Sequence, residues 1–397
     1  MRMMPPVRRA ALLASFMPFL SSCVAEDKAT AEGEWRIVGE PTVVIGAGAD
    51  PEIALDNVTA AAHLSDGAIL VVDGSSRLTE FARDGGYDGT IGRQGDGPGE
   101  FQWITSLQVG PSDSLFIFDN VWQRLTVFSS DRRPVRMPTF RVEAGVTGAD
   151  GLFGVTRLAD GVWVGTGAES TIFGPPDEIV RDTIVVGLLD GSLSRLRPLI
   201  RLPGRMSTST MIDGRPIFGT PPFTPEVIFA TWGRCIFFST AEEPLIWAYG
   251  SDGELVTTFV GPGARRSITQ EHLETRLKYD LRNASVADTA RSRRLLFDIA
   301  RPTHLPYFHR MEIDQWGHVW LQEYAPPWGV GRRWFVLSQA GEHLSTVIMP
   351  KAMKVFSISE AGVLGRSLGP LDEEMVELFP LRERPAQPAT PLRECVV

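Results

Sequence analysis

Histidines and one glycine-rich segment are the places where this 397-residue chain could support catalysis or metal binding. None of its six histidines belongs to a His-x3-His pair and no Cys-x2-Cys pair is present, so the spacing of a structural zinc site is missing. The segment Gly92–Gly99 runs from one strand-like stretch into another and contains no Gly-Lys-Ser/Thr, which excludes a phosphate-binding loop that opens a helix. The sequence therefore predicts no catalytic residues and no bound metal or other cofactor.

Charged and aromatic side chains on a few long segments suit recognition better than catalysis. An aromatic anchor surrounded by charged groups is the usual composition of a binding site. The sequence predicts that seven residues of these kinds line a groove: Arg93, Asp96, Glu100, Trp122, His304, Trp328 and Arg332. They lie on or beside long links between strands, so a rigid scaffold must bring them together.

An internal repeat describes that scaffold. The stretch Asp66–Asp73 combines a turn and an apolar strand, and its counterparts begin at Asp113 and Asp160, each 47 residues after the previous one. Apolar residues alternate along the strands, and Asp-Gly pairs mark the turns. Three further copies follow with longer links, near residues 233–253, 317–341 and 362–381. Short strands repeated in this way six times predict an all-β, six-bladed β-propeller over residues 35–381.

The ends of the repeat predict how the ring closes. The sixth copy stops after its third strand, Met375–Leu381, and a spare strand, Pro41–Gly46, precedes the first copy. Pairing these two strands would complete the sixth blade and remove an open sheet edge. Between blades four and five, about residues 262–306 show a capping motif and leucines at helical spacing, which predicts a helical insertion that caps the ring.

The lengths of the links predict which side of the ring binds. Links between second and third strands, and links to the next blade, open on one face because the chain has then crossed the blade an even number of times. The long segments belong to these two classes: Gly92–Phe101, Thr166–Asp182, Gly261–Pro306 and Gln322–Arg332. We name this side the long-loop face and the other the tight-turn face. We expect the deepest pocket on the long-loop face, with at least three of the seven residues on its wall.

The N-terminus carries an export signal. Three arginines and a short apolar run lead into Leu20-Ser21-Ser22-Cys23, which resembles the lipobox of bacterial lipoproteins. The resemblance implies that residues 1–22 are a signal peptide, that Cys23 is lipidated, and that residues 23–34 form a tether. Val24 in place of Asp favours the outer membrane over the inner membrane by the same resemblance. An ordinary secretory signal with an incidental cysteine is the alternative.

Two of the repeats resemble a known type. Val71–Asp73 with Arg77–Phe81, and Ile117–Asp119 with Arg124–Phe128, look like NHL-type repeats, in which an Asp that ends one strand precedes an Arg-aliphatic-x-x-Phe strand. Ile91–Phe101 is similar to a segment of six-bladed propeller lipoproteins from several bacterial phyla. The resemblance implies the fold and says little about chemistry.

Some side chains are expected to have structural roles. Cys235 lies in an apolar strand-like run, which favours a buried free thiol, although an exported protein would permit a disulfide with Cys395. Two pairs at equivalent places in blades one and two are expected to be ion pairs that brace neighbouring strands: Asp73 with Arg77, and Asp119 with Arg124. Residues 382–397 are expected to form a C-terminal tail.

A net charge of −9 argues against a nucleic-acid partner, because phosphate binding needs a basic face. The leading hypothesis is a monomeric, lipid-anchored binding or scaffold propeller of the cell envelope that takes a protein, peptide or glycan on its long-loop face. The alternative is a metal-dependent hydrolase or lyase that resembles propeller lactonases, with a divalent metal in the central channel. The inner strands offer that alternative only Asn57, His63, Glu312 and Asp314.

Overall fold

Six antiparallel sheets follow one another along the chain. The computed structural model describes residues 35–37, 39–46, 53–74, 76–140, 151–169, 177–190, 193, 195–212, 214–283, 286–299, 301–329, 331–382 and 391–396. We number the sheets as blades 1 to 6 and name their strands A to D from one edge of the sheet to the other. The predicted all-β propeller is confirmed.

The first three blades have these strands. Blade 1 contains Ala60–His63, Ile69–Asp73, Arg77–Phe81 and Tyr87–Gln94, and Glu100–Phe101 pairs in parallel with the last of them. Blade 2 contains Ile104–Val109, Leu115–Asp119, Arg124–Phe128 and Pro134–Arg136. Blade 3 contains Leu152–Arg157, Trp163–Glu169, Ile179–Leu189 and Leu196–Ile212, with Arg215–Gly219 as a fifth strand.

The last three blades are regular. Blade 4 contains Ile228–Trp232, Cys235–Ser239, Leu245–Gly250 and Leu255–Val260. Blade 5 contains Phe308–Ile313, Val319–Glu323, Arg333–Leu337 and His343–Ile348. Blade 6 contains Lys354–Ser359, Gly362–Leu368, Glu374–Phe379 and, as strand D, Val43–Ile45 from the N-terminal end. A separate two-stranded pair joins Arg36–Ile37 to Leu381–Arg382.

The apolar cores lie between neighbouring blades. Strand B of blade 4, Cys235–Ser239, is buried at every position. Its alternate residues serve two interfaces, because Phe237 packs toward blade 5 and Phe238 packs toward blade 3. Equivalent clusters fill all six interfaces between consecutive blades, including the one that joins blade 6 to blade 1. This explains why the B strands read as continuous apolar runs.

The ring is closed by the pairing that the sequence predicts. Val43, Val44 and Ile45 pair antiparallel with Leu378, Glu377 and Val376. The A strands of adjacent blades lie against one another from blade 4 through blades 5, 6 and 1 to blades 2 and 3. The A strands therefore surround the axis of the ring.

The insertion between blades 4 and 5 contains two helices, α1 (Gln270–Asp280) and α2 (Val286–Phe297). Thr269 caps α1 by accepting a hydrogen bond from the backbone N–H of His272. Leu273 and Leu296 pack with Phe223, Tyr324 and Trp328, which lie on links of the long-loop face. In the described residues, no helix is long and apolar enough to span a membrane.

Two features differ from the sequence expectations. Cys235 is not a free thiol but forms a disulfide with Cys395, which attaches the end of the tail to blade 4. The backbone carbonyl of Cys395 also accepts from the N–H of Arg234 at 3.0 Å. In blade 3, the segment Thr166–Asp182 was expected to be a loop. Both of its ends are strand, because Trp163–Glu169 and Ile179–Leu189 reach into it and pair with each other.

Candidate functional site

Three of the seven predicted residues, Arg93, Asp96 and Glu100, lie together in the glycine-rich link from blade 1 to blade 2. Their hydrogen bonds stabilise the conformation of that link. Glu100 accepts hydrogen bonds from the Arg93 guanidinium at 2.9 and 3.0 Å and from the Gly97 N–H at 3.0 Å. The Gly97 hydrogen bond, followed by Arg93, holds the pKa of Glu100 below its usual range. Asp96 accepts from the Gln102 side chain at 2.8 Å.

Glycine is required at one position of this link. The φ angle of Gly95 is +156°, and a Cβ there would lie 2.2 Å from the Glu100 carboxylate.

The expected ion pair between Asp73 and Arg77 is present, whereas Arg124 does not pair with Asp119. Arg124 instead donates to the backbone carbonyls of Asp96 and Glu100, so it braces the same link.

The other four predicted residues are spread around the long-loop face. Trp122 is 43% exposed on the B–C turn of blade 2. His304 is half-buried, with its Nδ1 2.8 Å from the Thr303 hydroxyl. Trp328 is half-buried against Phe223, with ring centroids 6.0 Å apart. The backbone carbonyl of Arg332 accepts from the N–H of Met349.

The main cavity of the long-loop face is lined by other residues. It has a volume of about 420 Å³ and lies where the A strands of blades 5 and 6 begin. The loop that joins strands B and C of blade 5, Tyr324 to Gly331, forms one wall. We name this space the mouth cavity. The expectation that at least three of the seven residues would line this cavity is wrong. The side chains of the link from blade 1 to blade 2 form hydrogen bonds within that link, and Trp328 packs against the helical insertion.

Cationic side chains dominate the charge of the mouth cavity. Arg310 from strand A of blade 5, Lys354 from strand A of blade 6 and Arg366 from strand B of blade 6 line it together. Arg366 is paired with Glu374 at 2.5 Å. Lys354 donates to the Thr59 carbonyl at 2.7 Å and forms no ion pair with any described residue. The Arg310 guanidinium has neither a hydrogen bond nor an ion pair with any described residue, and Glu312 and Glu226 act on it only at longer range. Two cations are thus left without a bonded counter-ion.

Burial changes the protonation of these groups. Burial lowers the pKa of Lys354 to about 8, and the nearby Arg310 and Arg366 act in the same direction. The pKa of Arg310 is lowered by burial and by Arg366, and Glu312 and Glu226 partly offset this effect. His309, also on the cavity wall, has its pKa lowered by burial and then by Arg310.

A second cavity of about 460 Å³ occupies the axis on the side of the tight-turn face. Its wall takes Thr156, Phe229, Glu312 and Ser357 from the A strands of blades 3, 4, 5 and 6. Burial raises the pKa of Glu312 to about 8, although Arg310 and Lys354 oppose the shift. At neutral pH the Glu312 side chain is therefore mostly uncharged, and it neutralises little of the charge of Arg310.

The inner residues named for a metal site have other surroundings. Asp314 is fully buried and accepts from His318 Nδ1 at 2.8 Å and from the Trp320 indole at 2.9 Å, so it orders the A–B turn of blade 5. His63 is enclosed in blade 1, and burial lowers its pKa. Across the described ranges, no three His, Cys, Asp or Glu side chains come together as metal ligands.

A serine motif borders the mouth cavity. Gly365–Gly369 has the Gly-x-Ser-x-Gly spacing of a nucleophile elbow, but most of it lies within the continuous strand Gly362–Leu368 instead of on a strand-to-helix turn. Ser367 is 2% exposed and donates its hydroxyl to Glu377, which also accepts from Lys351 at 2.9 Å. This arrangement is that of a satisfied buried polar cluster.

Comparisons with known proteins agree with the fold. Residues 58–143 match a family model described as a 6-bladed beta-propeller. An exported protein from Bacteroides fragilis aligns with 90% of this chain and 98% of its own, at 11% identity and a TM-score of 0.50. No curated protein matches the sequence.

Two further solved structures are similar at lower TM-scores. The calcium-binding protein regucalcin from Agrobacterium tumefaciens aligns over 90% of this chain and 98% of its own, at 10% identity and a TM-score of 0.45. A gluconolactonase from Xanthomonas campestris aligns over 88% and 99%, at 11% identity and a TM-score of 0.40. At these identities the likeness concerns the fold alone. The chain is a six-bladed β-propeller.

Proposed function

We propose that this protein is a non-enzymatic binding propeller of the bacterial cell envelope, anchored by lipid at Cys23, that takes its ligand at the mouth cavity of the long-loop face. The observation that carries the proposal is the position of that cavity. It opens where the long B–C loop of blade 5 meets the axis, and two of its cations lack a bonded counter-ion among the described residues. Binding sites concentrate on loops held by a rigid scaffold, and this ring is such a scaffold.

Export is supported by two features. The sequence before Cys23 resembles a lipobox, and a signal of that type directs a chain out of the cytoplasm. This segment lies outside the described residues. The disulfide between Cys235 and Cys395 is a bond that persists in oxidising compartments. Replacing Cys23 with Ser is expected to release the protein from the membrane fraction, and a variant that stays in that fraction after a salt wash would show that another anchor exists.

The metal-dependent enzyme is less well supported. A divalent cation would have to sit near Arg310 and Lys354, whose charges repel it. The one acidic residue that lines the axial cavity beside them is Glu312, and burial keeps it mostly protonated near neutral pH. A binding role requires no additional group.

Site-specific photocrosslinking in intact cells tests the binding face. A photoreactive residue at Pro327, which is exposed on the wall of the mouth cavity, is expected to give ligand adducts. The same residue at Arg83, exposed in a C–D turn of the tight-turn face, is the matched control. Position 122 adds a test of the seven sequence candidates. Equal adduct yields at positions 327 and 83, or adducts at position 83 alone, would refute the proposal.

A further inference from the structure

The mouth cavity is lined by three half-buried cations, and only one of them is paired with a carboxylate of the described residues. Arg310 is the third residue of strand A of blade 5 and Lys354 is the first residue of strand A of blade 6, and the ring brings both to the same cavity. Like charges so placed repel each other, and each side chain also loses hydration. The described residues supply one bonded carboxylate here, Glu374, and Arg366 uses it. An anion from outside the chain would relieve the unfavourable charge of the other two.

We propose that the mouth cavity binds a carboxylate side chain of an acidic peptide segment, with Arg310 and Lys354 as the two groups that hold it. This inference rests on the proposed function and names the class of its ligand. A guanidinium presents parallel N–H donors that fit the two oxygens of a carboxylate. The ammonium of Lys354 adds a second charge, and its one hydrogen bond, to the Thr59 carbonyl, leaves further donors for the ligand.

The surroundings favour a single carboxylate over a group of several charges. Glu323 lies on the same wall, and its closest cations, Arg266 and Arg333, are 3.9 and 3.8 Å away. The chain as a whole carries a net charge of −9. Phosphate chains or nucleic acids would meet this negative field, whereas one carboxylate needs only the local cations.

The apolar part of the wall favours a peptide over an acidic sugar. Ala325, Pro326, Pro327 and Met353 line the cavity, and Leu368 on its edge is 52% exposed. Aliphatic and proline surfaces pack against aliphatic side chains, whereas sugar rings are usually held on flat, open aromatic faces. The wall offers no Trp or Phe among the described residues, and its tyrosine, Tyr324, packs with Leu273 and Leu296 of the helical insertion.

Calorimetric titration of the full chain in detergent tests the inference. The probe is the blocked pentapeptide acetyl-Leu-Ala-Glu-Ala-Leu-amide, and its glutamine analogue is the matched control ligand. We expect the glutamate peptide to bind roughly tenfold or more tightly than the analogue, as charge-assisted hydrogen bonds predict. Arg310→Gln and, independently, Lys354→Gln should remove most of this difference. Arg133→Gln, on an exposed C–D turn of the tight-turn face, should retain it.

The outcomes separate this inference from the proposed function. If the two peptides bind equally, or if Arg310→Gln and Lys354→Gln lose no more affinity than Arg133→Gln, the carboxylate site is refuted. Tighter binding of galacturonate or phosphoserine than of the glutamate peptide would also refute it and would identify a glycan or phosphate site. Crosslinks at position 327 that persist unchanged in Arg310→Gln would support the binding face but would refute Arg310 as a group that holds the ligand. Melting temperatures of the variants confirm that each is folded.

Discussion

Arg310 and Glu312 lie two residues apart on strand A of blade 5, yet they line different cavities. Arg310 lines the mouth cavity, and Glu312 lines the second cavity, which lies along the axis toward the tight-turn face. Residues at this spacing share one face of a strand. The two side chains influence each other electrostatically without a bond, and burial decides the protonation of the carboxyl group. The positive charge of Arg310 is therefore available to a ligand at neutral pH.

The Glu312 carboxyl should make stability depend on pH. Its folded pKa is about 8 and its ordinary value is 4.5, so the folded state holds a proton that the unfolded state loses between these values. The free energy of unfolding should therefore fall as pH rises from about 4.5 to 8, by on the order of a few kcal/mol. Glu312→Gln should flatten this dependence. Denaturant titrations of both proteins at pH 5 and pH 8 measure it, and parallel losses in both would contradict the assignment.

Ligand binding should weaken above pH 8. As pH rises through this value Lys354 loses its positive charge and Glu312 gains a negative one. The other charged groups near them are Arg310, Arg366 and Glu374. Both changes oppose an anion, so the affinity for the glutamate peptide should drop more than tenfold between pH 7 and pH 9. Lys354→Gln should lose part of this dependence. A binding constant that does not change over this interval would show that the two groups do not face the ligand.

Closure of the ring should depend on one face of its N-terminal strand. Ile45 is 2% exposed in the interface between blades 6 and 1, whereas the adjacent Val44 is 38% exposed. Ile45→Asp should cost about 3 kcal/mol or more because it buries an unpaired charge. Val44→Asp is the control and should cost little. If thermal melts of the two variants agree within a degree, the strand does not close the ring.

The tail should contribute stability through its disulfide. Cys395→Ala is expected to cost about 2–5 kcal/mol, as removal of a native disulfide usually does. Wild-type protein melted with a reductant should match the variant, and the variant should not respond to the reductant. A variant that melts like the oxidised wild type would show that the bond adds nothing to the fold.

The propeller could be predicted from the sequence because its signals are local. The Asp-Gly turns and alternating apolar residues specify each hairpin within a few residues, and Gly67 and Gly85 have the positive φ that such turns require. The missing last strand of blade 6 predicted the pairing of Val43–Ile45 for the same reason. The disulfide was not predicted, since spacing does not reveal that the tail returns to blade 4.

The site itself could not be predicted because its residues come from different strands. Arg310 and Lys354 belong to different blades, and Arg366 lies on the strand after Lys354. All three look like ordinary strand charges until the ring brings them to one cavity. The charged residues that stood out in the sequence, Arg93 and Glu100, are satisfied by each other. The loop-length argument predicts a face, whereas the residues on the wall of the mouth cavity depend on which charges the fold leaves unpaired.

The contact between Arg310 and a ligand carboxylate can be observed directly by nuclear magnetic resonance. The Nε–Hε signal of Arg310 in the full chain is identified as the one that Arg310→Gln lacks. Addition of the glutamate peptide should shift this signal to saturation, with the same dissociation constant that calorimetry gives, and the glutamine analogue should leave it in place. If the glutamate peptide binds while the Arg310 signal does not move, the anion site at the mouth of the ring is wrong.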